Sequence, residues 1–307
     1  MHLLKLDWNP VTGIDIIGNF KIHFYSLMWV AAFVIGWYIM KRIFTKEKIS
    51  LDYLDPLFIY TVLATMLGAR LGHVLFYQSE LIQEDFFSIF LPFSFKNGVE
   101  FTGFQGLASH GAAIGIIIGM YLYRKKYNYK SILWILDRIV LAVASGAVFI
   151  RIGNFINSEI IGKTSGDFPL GVRFIQDYYN KYEVTQITGI KNVQKAYDAI
   201  ANNAELLSAV PYRHPAQLYE SFCYIFVFLI LLYFYAKTKK SEQTGFLFGL
   251  FLILLWSIRF FIEFFKEPQG DEYINWFGLN TGQWLSIPFI LIGLYFMFVY
   301  KPKTAVK

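Results

Sequence analysis

Read as apolar runs broken by charge, the chain resolves into about seven stretches of the length a bilayer demands, about 20 residues each. They lie near 23–42, 56–77, 106–123, 132–150, 216–236, 245–265 and 283–300. Each predicts a transmembrane helix, because a helix satisfies its own backbone hydrogen bonds where water is absent. The first run has no basic segment before it and no small-residue cleavage site after it, so it reads as a retained span and not a signal peptide. The pattern predicts an all-α integral membrane protein.

The polar breaks set an orientation. Lys41, Arg42, Lys46 and Lys48 follow the first run, and Arg124, Lys125, Lys126 and Lys130 follow the third. Lys237, Lys239 and Lys240 follow the fifth, and Lys301, Lys303 and Lys307 the seventh. The other short loops hold little beyond Lys96 and Lys266. Basic loops stay in the cytoplasm, so the N-terminus is predicted outside and the C-terminus cytoplasmic. Residues 151–212 are too long a loop to count in that rule and predict a small external head, with an amphipathic helical stretch in NVQKAYDAIANNAELL. The chain thus divides into 1–150, holding the N-terminal segment and helices one to four, 151–212, holding a polar motif and the head, and 213–307, holding helices five to seven and the tail.

Composition changes this picture little. The 307 residues are 56% hydrophobic, above the roughly 45–50% of soluble domains. The net charge of +6 is absorbed by the membrane flanks, so no nucleic-acid partner is expected. Cys223, alone and inside an apolar run, excludes a disulfide framework and any multi-cysteine metal site. P-loop, HExxH and GxSxG motifs are all missing from the sequence, and neither a metal nor another cofactor is expected.

Once each span has a direction, its conspicuous polar residues share one level, at the outer ends. They are Tyr25, Arg70, His73, His110, Arg151, Asn154, Glu159, Arg213, His214, Gln217, Glu220, Arg259, Glu263 and Gln283. No comparable cluster is expected at the inner ends beyond the basic flanks. Arg213 and Lys266, at span ends, read equally well as side chains snorkelling to the interface. Arg70 and Arg259 lie deeper, where an arginine costs roughly 2.5–3.5 kcal/mol at a helix centre, and predict a polar cavity or partner. Arg259 and Glu263, four apart, share a helix face. Arg151, Asn154 and Ser158 also share a sector, with Glu159 at its edge. Gly111, Gly115 and Gly119 recur every fourth residue and predict close helix packing. Guanidinium binds phosphate through paired donors, so the set describes a lipid-phosphate or headgroup site facing outward. Whether the lipid is bound, moved or cut stays open at this point.

RIGNFINSEIIG, followed shortly by FP, resembles the signature of the prolipoprotein diacylglyceryl transferases. HFYSL, GARLGHVLFYQ, SHGAAIG, RHPAQLYES, RFFIEFFKEPQ and GQWLSIP agree in order, so the resemblance runs from about residue 22 to 290. It implies an enzyme of the bacterial inner membrane, active toward the outer leaflet. Such an enzyme moves the diacylglyceryl group of phosphatidylglycerol to the lipobox cysteine of a preprolipoprotein signal peptide, leaving a thioether and glycerol phosphate. By resemblance, His110, Arg151 and Arg259 are catalytic, and Tyr25, Arg70, Asn154, Glu159 and Glu263 bind substrate; Gln217, whose amide can orient a neutral hydroxyl or carbonyl, is expected to bind substrate with them. Three positions depart from the family pattern: Ala112 in HGAAIG, His73 where tyrosine is common, and Leu255 four residues before Arg259. The rival reading is an outward-facing lipid or anion transporter using the same arginines. Against it, the inner halves of the spans look apolar.

Overall fold

The computed structural model describes residues 5–17, 20–91, 93–96, 98–101, 106–166, 168–267 and 277–301. Lys303 and Lys307 of the expected last basic flank lie outside them. In chain order the chain forms β1 (Leu6–Trp8), β2 (Gly13–Ile17) and β3 (Phe20–His23), then α1 (Phe24–Lys46), α2 (Leu54–Tyr77) and α3 (Leu81–Glu84). β4 (Phe93–Ser94) and β5 (Glu100–Phe101) precede α4 (Ser109–Tyr127) and α5 (Ile132–Ile156). β6 (Val172–Phe174) leads into four short helices, α6 (Ile175–Tyr178), α7 (Lys181–Thr188), α8 (Val193–Ala201) and α9 (Ala204–Ala209). The chain closes with α10 (Ala216–Lys237), α11 (Phe246–Ile262) and α12 (Thr281–Leu294).

Among the described residues, six helical stretches are long and apolar enough to cross a membrane: 24–46, 51–77, 132–156, 216–237, 246–265 and 281–299. The expected third span corresponds to α4, which is not among the six. Its glycines and the basic last turn of Arg124, Lys125 and Lys126 dilute the apolar run. On α2, Ile59, Leu63, Leu67, Leu71 and Leu75 recur every fourth residue and are all exposed, as a lipid-facing helix requires. Among the described residues three two-stranded ribbons accompany the helices: β1 runs parallel to β6, and β2–β3 and β4–β5 are antiparallel. The helical stretch expected from NVQKAYDAIANNAELL breaks into α8 and α9, because Asn203 leaves the helix and accepts from the Glu205 and Leu206 amides to start a new one.

The described residues fall into two compact units. One lies within Met1–Val34, Ala144–Ile230 and Leu254–Pro268, and the other within Ile35–Val143, Leu231–Ile253 and Gln269–Lys307.

In the second unit α2 and α4 meet along glycines, as the fourfold spacing predicts. A Cβ on Gly68 would stand 2.6 Å from the Gly111 carbonyl oxygen, and one on Gly115 would stand 2.8 Å from the Gly68 Cα. The Ala108 amide donates to the Ala69 carbonyl at 2.9 Å beside this seam. Ala112 is only half-buried, whereas Gly111 is buried, so the added methyl of HGAAIG is accommodated. Gly115→Val should force the helices apart and destabilise the protein by about 1–3 kcal/mol or more, as overpacking does. Thermal unfolding in detergent checks this; an unchanged Tm contradicts the seam.

The second unit also holds a paired polar cluster at span ends where the sequence predicts only basic flanks. Near the start of α5, Asp137 is fully buried and accepts from the Gly245 and Phe248 amides at 2.6 and 2.8 Å. It caps α11 from another helix, satisfying donors that no preceding turn can reach. Beside it Arg138 donates to both oxygens of Glu47, and the Tyr235 hydroxyl donates to Glu47 at 3.0 Å. These charges are structural, and they are tolerated because each is paired.

In the first unit the end of α5 is braced from outside the membrane-length helices. Phe155, Ile161, Val172 and Phe174 form a small core, with Trp8 packed on it. The Trp8 indole donates to the Phe155 carbonyl at 3.0 Å. The segment 175–210 has a core of its own, built from Ile175, Val184, Ala196, Tyr197 and Ile200.

Candidate functional site

The motif that opens with Arg151 is shaped by how α5 stops. The Glu159 amide donates to the Asn154 carbonyl and the Ser158 amide to the Phe155 carbonyl, the paired bonds of a Schellman ending. That ending needs a left-handed residue, usually glycine, and here Ser158 supplies it at φ 54°. Ile160 follows at φ 57°. Left-handed backbone costs a residue with a Cβ roughly 1–2 kcal/mol, so two such residues beside Glu159 mark a turn fixed by its surroundings. The shared helical sector expected for Arg151, Asn154 and Ser158 therefore ends at Ile156, and the turn, not the helix, places Glu159.

Glycine then permits close weaving. A Cβ on Gly162 would stand 2.5 Å from the His214 carbonyl oxygen and 2.7 Å from that of Phe265. In this space the Gly162 amide donates to His214 and the Lys163 amide to Phe265, at 2.9 and 2.8 Å. The loop after α5 is thus stitched both to the entry of α10 and to the segment after α11. Arg213 joins the same weave through an ion pair with Glu267. Burial pulls the nearby His214 imidazole below its ordinary pKa.

These elements bring three charged side chains onto one carboxylate. Glu220, on α10, is fully buried. Its Oε2 stands 2.7 Å from Arg151 Nε. Its Oε1 stands 2.9 Å from Lys266 Nζ and 3.5 Å from Arg259 Nη1. The Tyr224 hydroxyl donates to Oε1 at 3.4 Å. Lys266 also reaches Glu263 Oε2 at 3.3 Å. Arg151, Arg259 and Lys266 are themselves buried. The Arg259 guanidinium lies over the Trp256 ring, 5.6 Å from its centroid. Burial pulls the Lys266 ammonium below its ordinary pKa, and the Glu220 charge works against that shift.

A second chain of contacts leads away from Arg151. Its Nη1 donates to Asn154 Oδ1 at 3.3 Å, and Asn154 Nδ2 donates to Glu159 Oε2 at 3.3 Å. Asn157 Nδ2 holds the other Glu159 oxygen at 2.9 Å. Gln217 Nε2 donates to the Glu159 backbone carbonyl. The Tyr25 ring packs on Gly153, where a Cβ would meet it at 2.6 Å. Arg151, Asn154, Glu159, Gln217, Arg259, Glu263 and Tyr25 therefore all belong to the first unit.

Arg70 and His110 belong to the second unit. Both are buried, Arg70 on α2 directly after Ala69 and His110 in the first turn of α4, two residues after Ala108. Arg70 Nη2 donates to the Ser88 carbonyl at 3.2 Å. The His110 ring lies 6.2 Å from Phe289, centroid to centroid. His73 Nε2 stands 3.1 Å from Gln78 Oε1.

Two members of the first-unit cluster were undervalued by the sequence. Lys266, which read equally well as a snorkelling residue, is buried in an ion pair. Glu220 stands in RHPAQLYES beside Gln217, and a carboxylate inside an apolar span carries the same warning of a buried partner as Arg259 does. Glu263 opens a short 3-10 turn past α11, and its carboxylate faces Lys266. Among the described residues no group of histidine, cysteine and carboxylate side chains has the arrangement of a metal site.

Residues 12–299 match the family model described as prolipoprotein diacylglyceryl transferase. Among similar proteins, the phosphatidylglycerol–prolipoprotein diacylglyceryl transferase of Bacteroides fragilis is 37% identical over 309 residues, covering 99% of both chains. That of Tolumonas auensis is 35% identical over 300 residues, covering 98% of this chain and 99% of the relative. That of Porphyromonas gingivalis is 35% identical, covering 94% and 92%.

Proposed function

The chain belongs to the prolipoprotein diacylglyceryl transferase family, and from that membership we propose how its residues carry the reaction. It is a membrane transferase that passes diacylglyceryl from phosphatidylglycerol to prolipoprotein. The acceptor is the lipobox cysteine of the signal peptide. Its sulfur attacks the glycerol carbon that bears the phosphate, a C–S bond forms, and the C–O bond breaks with its electron pair leaving on the phosphate oxygen. The products are a thioether and glycerol phosphate.

The observation that carries this reading is the convergence of Arg151 and Arg259, both buried, on one carboxylate. Donors already oriented and shielded from water stabilise charge that grows on a leaving phosphate without reorganising as it grows. Asn154, Glu159 and Gln217 form the polar edge of the same cluster and orient the headgroup. Tyr25, Arg70 and Glu263 are assigned to substrate binding. His110 takes the thiol proton, a role that rests on its motif alone. A thiol with a pKa of about 8.5 is mostly protonated at neutral pH, so such a base raises the share of thiolate. The site faces the outer leaflet of the bacterial inner membrane, α4 is the third of seven spans, and the segment around α7–α9 is the external head.

Phosphatidylglycerol labelled in its headgroup, in vesicles with the purified protein, tests the reaction class. Water-soluble labelled glycerol phosphate should appear only when a lipobox peptide is added. Label that changes leaflet without being released would instead fit the transporter.

A further inference from the structure

We infer that Glu220 is a positioning residue for the transfer: it holds the Arg151 and Arg259 guanidiniums as one phosphate-binding unit. This rests on the transferase reading. The carboxylate is fully buried, so it does not meet the lipid itself. Its two oxygens divide the work. Oε2 takes Arg151 Nε at 2.7 Å, from the end of α5. Oε1 takes Arg259 Nη1 at 3.5 Å, from α11, and Lys266 Nζ at 2.9 Å. One side chain on α10 thus fixes arginines from two other helices.

Without that carboxylate, Arg151, Arg259 and Lys266 would be three like charges in an apolar setting, and each guanidinium would turn away from the others. Lys266 Nζ adds a third cationic contact on the same carboxylate, at Oε1 beside Arg259. Its own second partner, Glu263, ties this balance to the turn after α11. A neutral amide at position 220 retains the shape but loses the attraction.

A double-mutant cycle tests the inference, because a residue that acts through Arg151 leaves little for the Arg151 substitution to remove. The proteins are the full-length wild type, Arg151→Lys, Glu220→Gln and the double variant, assayed with phosphatidylglycerol vesicles and a lipobox peptide. Glu220→Gln should lower kcat by about 100-fold while KM for phosphatidylglycerol moves by no more than about threefold, the mark of an interaction used in the transition state. Arg151→Lys should cost about 100-fold in the wild type and no more than about fivefold in the Glu220→Gln background. Glu220→Asp keeps the charge but is too short to reach both arginines. It should recover only part of the loss, and it replaces Glu220→Gln in the cycle if that variant does not yield folded protein. Multiplicative losses with an active wild type overturn the inference alone. No transfer by the wild type overturns the transferase reading and the inference with it.

Discussion

Replacing Arg151 with alanine is expected to lower diacylglyceryl transfer by about 1,000-fold, the upper range for removing one preorganised donor from a developing negative charge. The guanidinium is held at Nε by Glu220 and at Nη1 by Asn154, so its plane is fixed before substrate arrives. Alanine removes both the charge and that alignment. It also leaves Glu220 with one cation fewer, so some loss of stability accompanies the loss of rate. Arg151→Lys separates the two effects, since lysine restores a charge but not the paired donors of a guanidinium. Lysine should return the unfolding temperature nearer to wild type than it returns the rate. Transfer rates and Tm for both variants check this; an alanine variant within tenfold of wild type would reduce Arg151 to a structural role.

His110→Gln should lower transfer at neutral pH by about 100-fold, within the range for general-base catalysis. Glutamine keeps a polar group of similar reach but takes up no proton. The sign of the pH response follows. Below the thiol's own pKa of about 8.5, the variant lacks both base and thiolate. As pH rises through that value the peptide supplies thiolate unaided, so the gap between variant and wild type should narrow. A constant gap from pH 6.5 to 9.5 would contradict the base role and leave His110 as a group that only positions the thiol.

How much of this was legible in the sequence differs between elements for physical reasons. The long apolar runs near 23–42, 56–77, 132–150, 216–236, 245–265 and 283–300 all became helices, because lipid-length runs leave the backbone few alternatives. α4 formed at its expected place, and its glycines pack against α2 as their spacing implied. Arg151, Asn154, Glu159, Arg259 and Glu263 were visible because polar groups inside apolar stretches are expensive and stand out.

Pairings across the fold were not visible. Spacing alone put Arg259 and Glu263 on one helix face, but the partner that joins Arg259 to Arg151 is Glu220, on another helix. Asp137 is hidden for the same reason, since its partners are backbone amides at the start of α11 that sequence separation conceals. The left-handed turn at Ser158 and Ile160 was hidden too, because neither residue is the glycine that signals one. β1 and its Trp8 brace on Phe155 depend on a parallel pairing with β6 that local pattern does not encode.

The most direct test of the central claim is the mass of a lipobox peptide after incubation with the purified protein and phosphatidylglycerol of one defined acyl composition. The account predicts a gain equal to that one diacylglyceryl group, located on the cysteine, stable to hydroxylamine at the sulfur and absent when the cysteine is replaced by serine. Folded protein that leaves the peptide mass unchanged, or that adds a single acyl chain through a labile thioester, would contradict it.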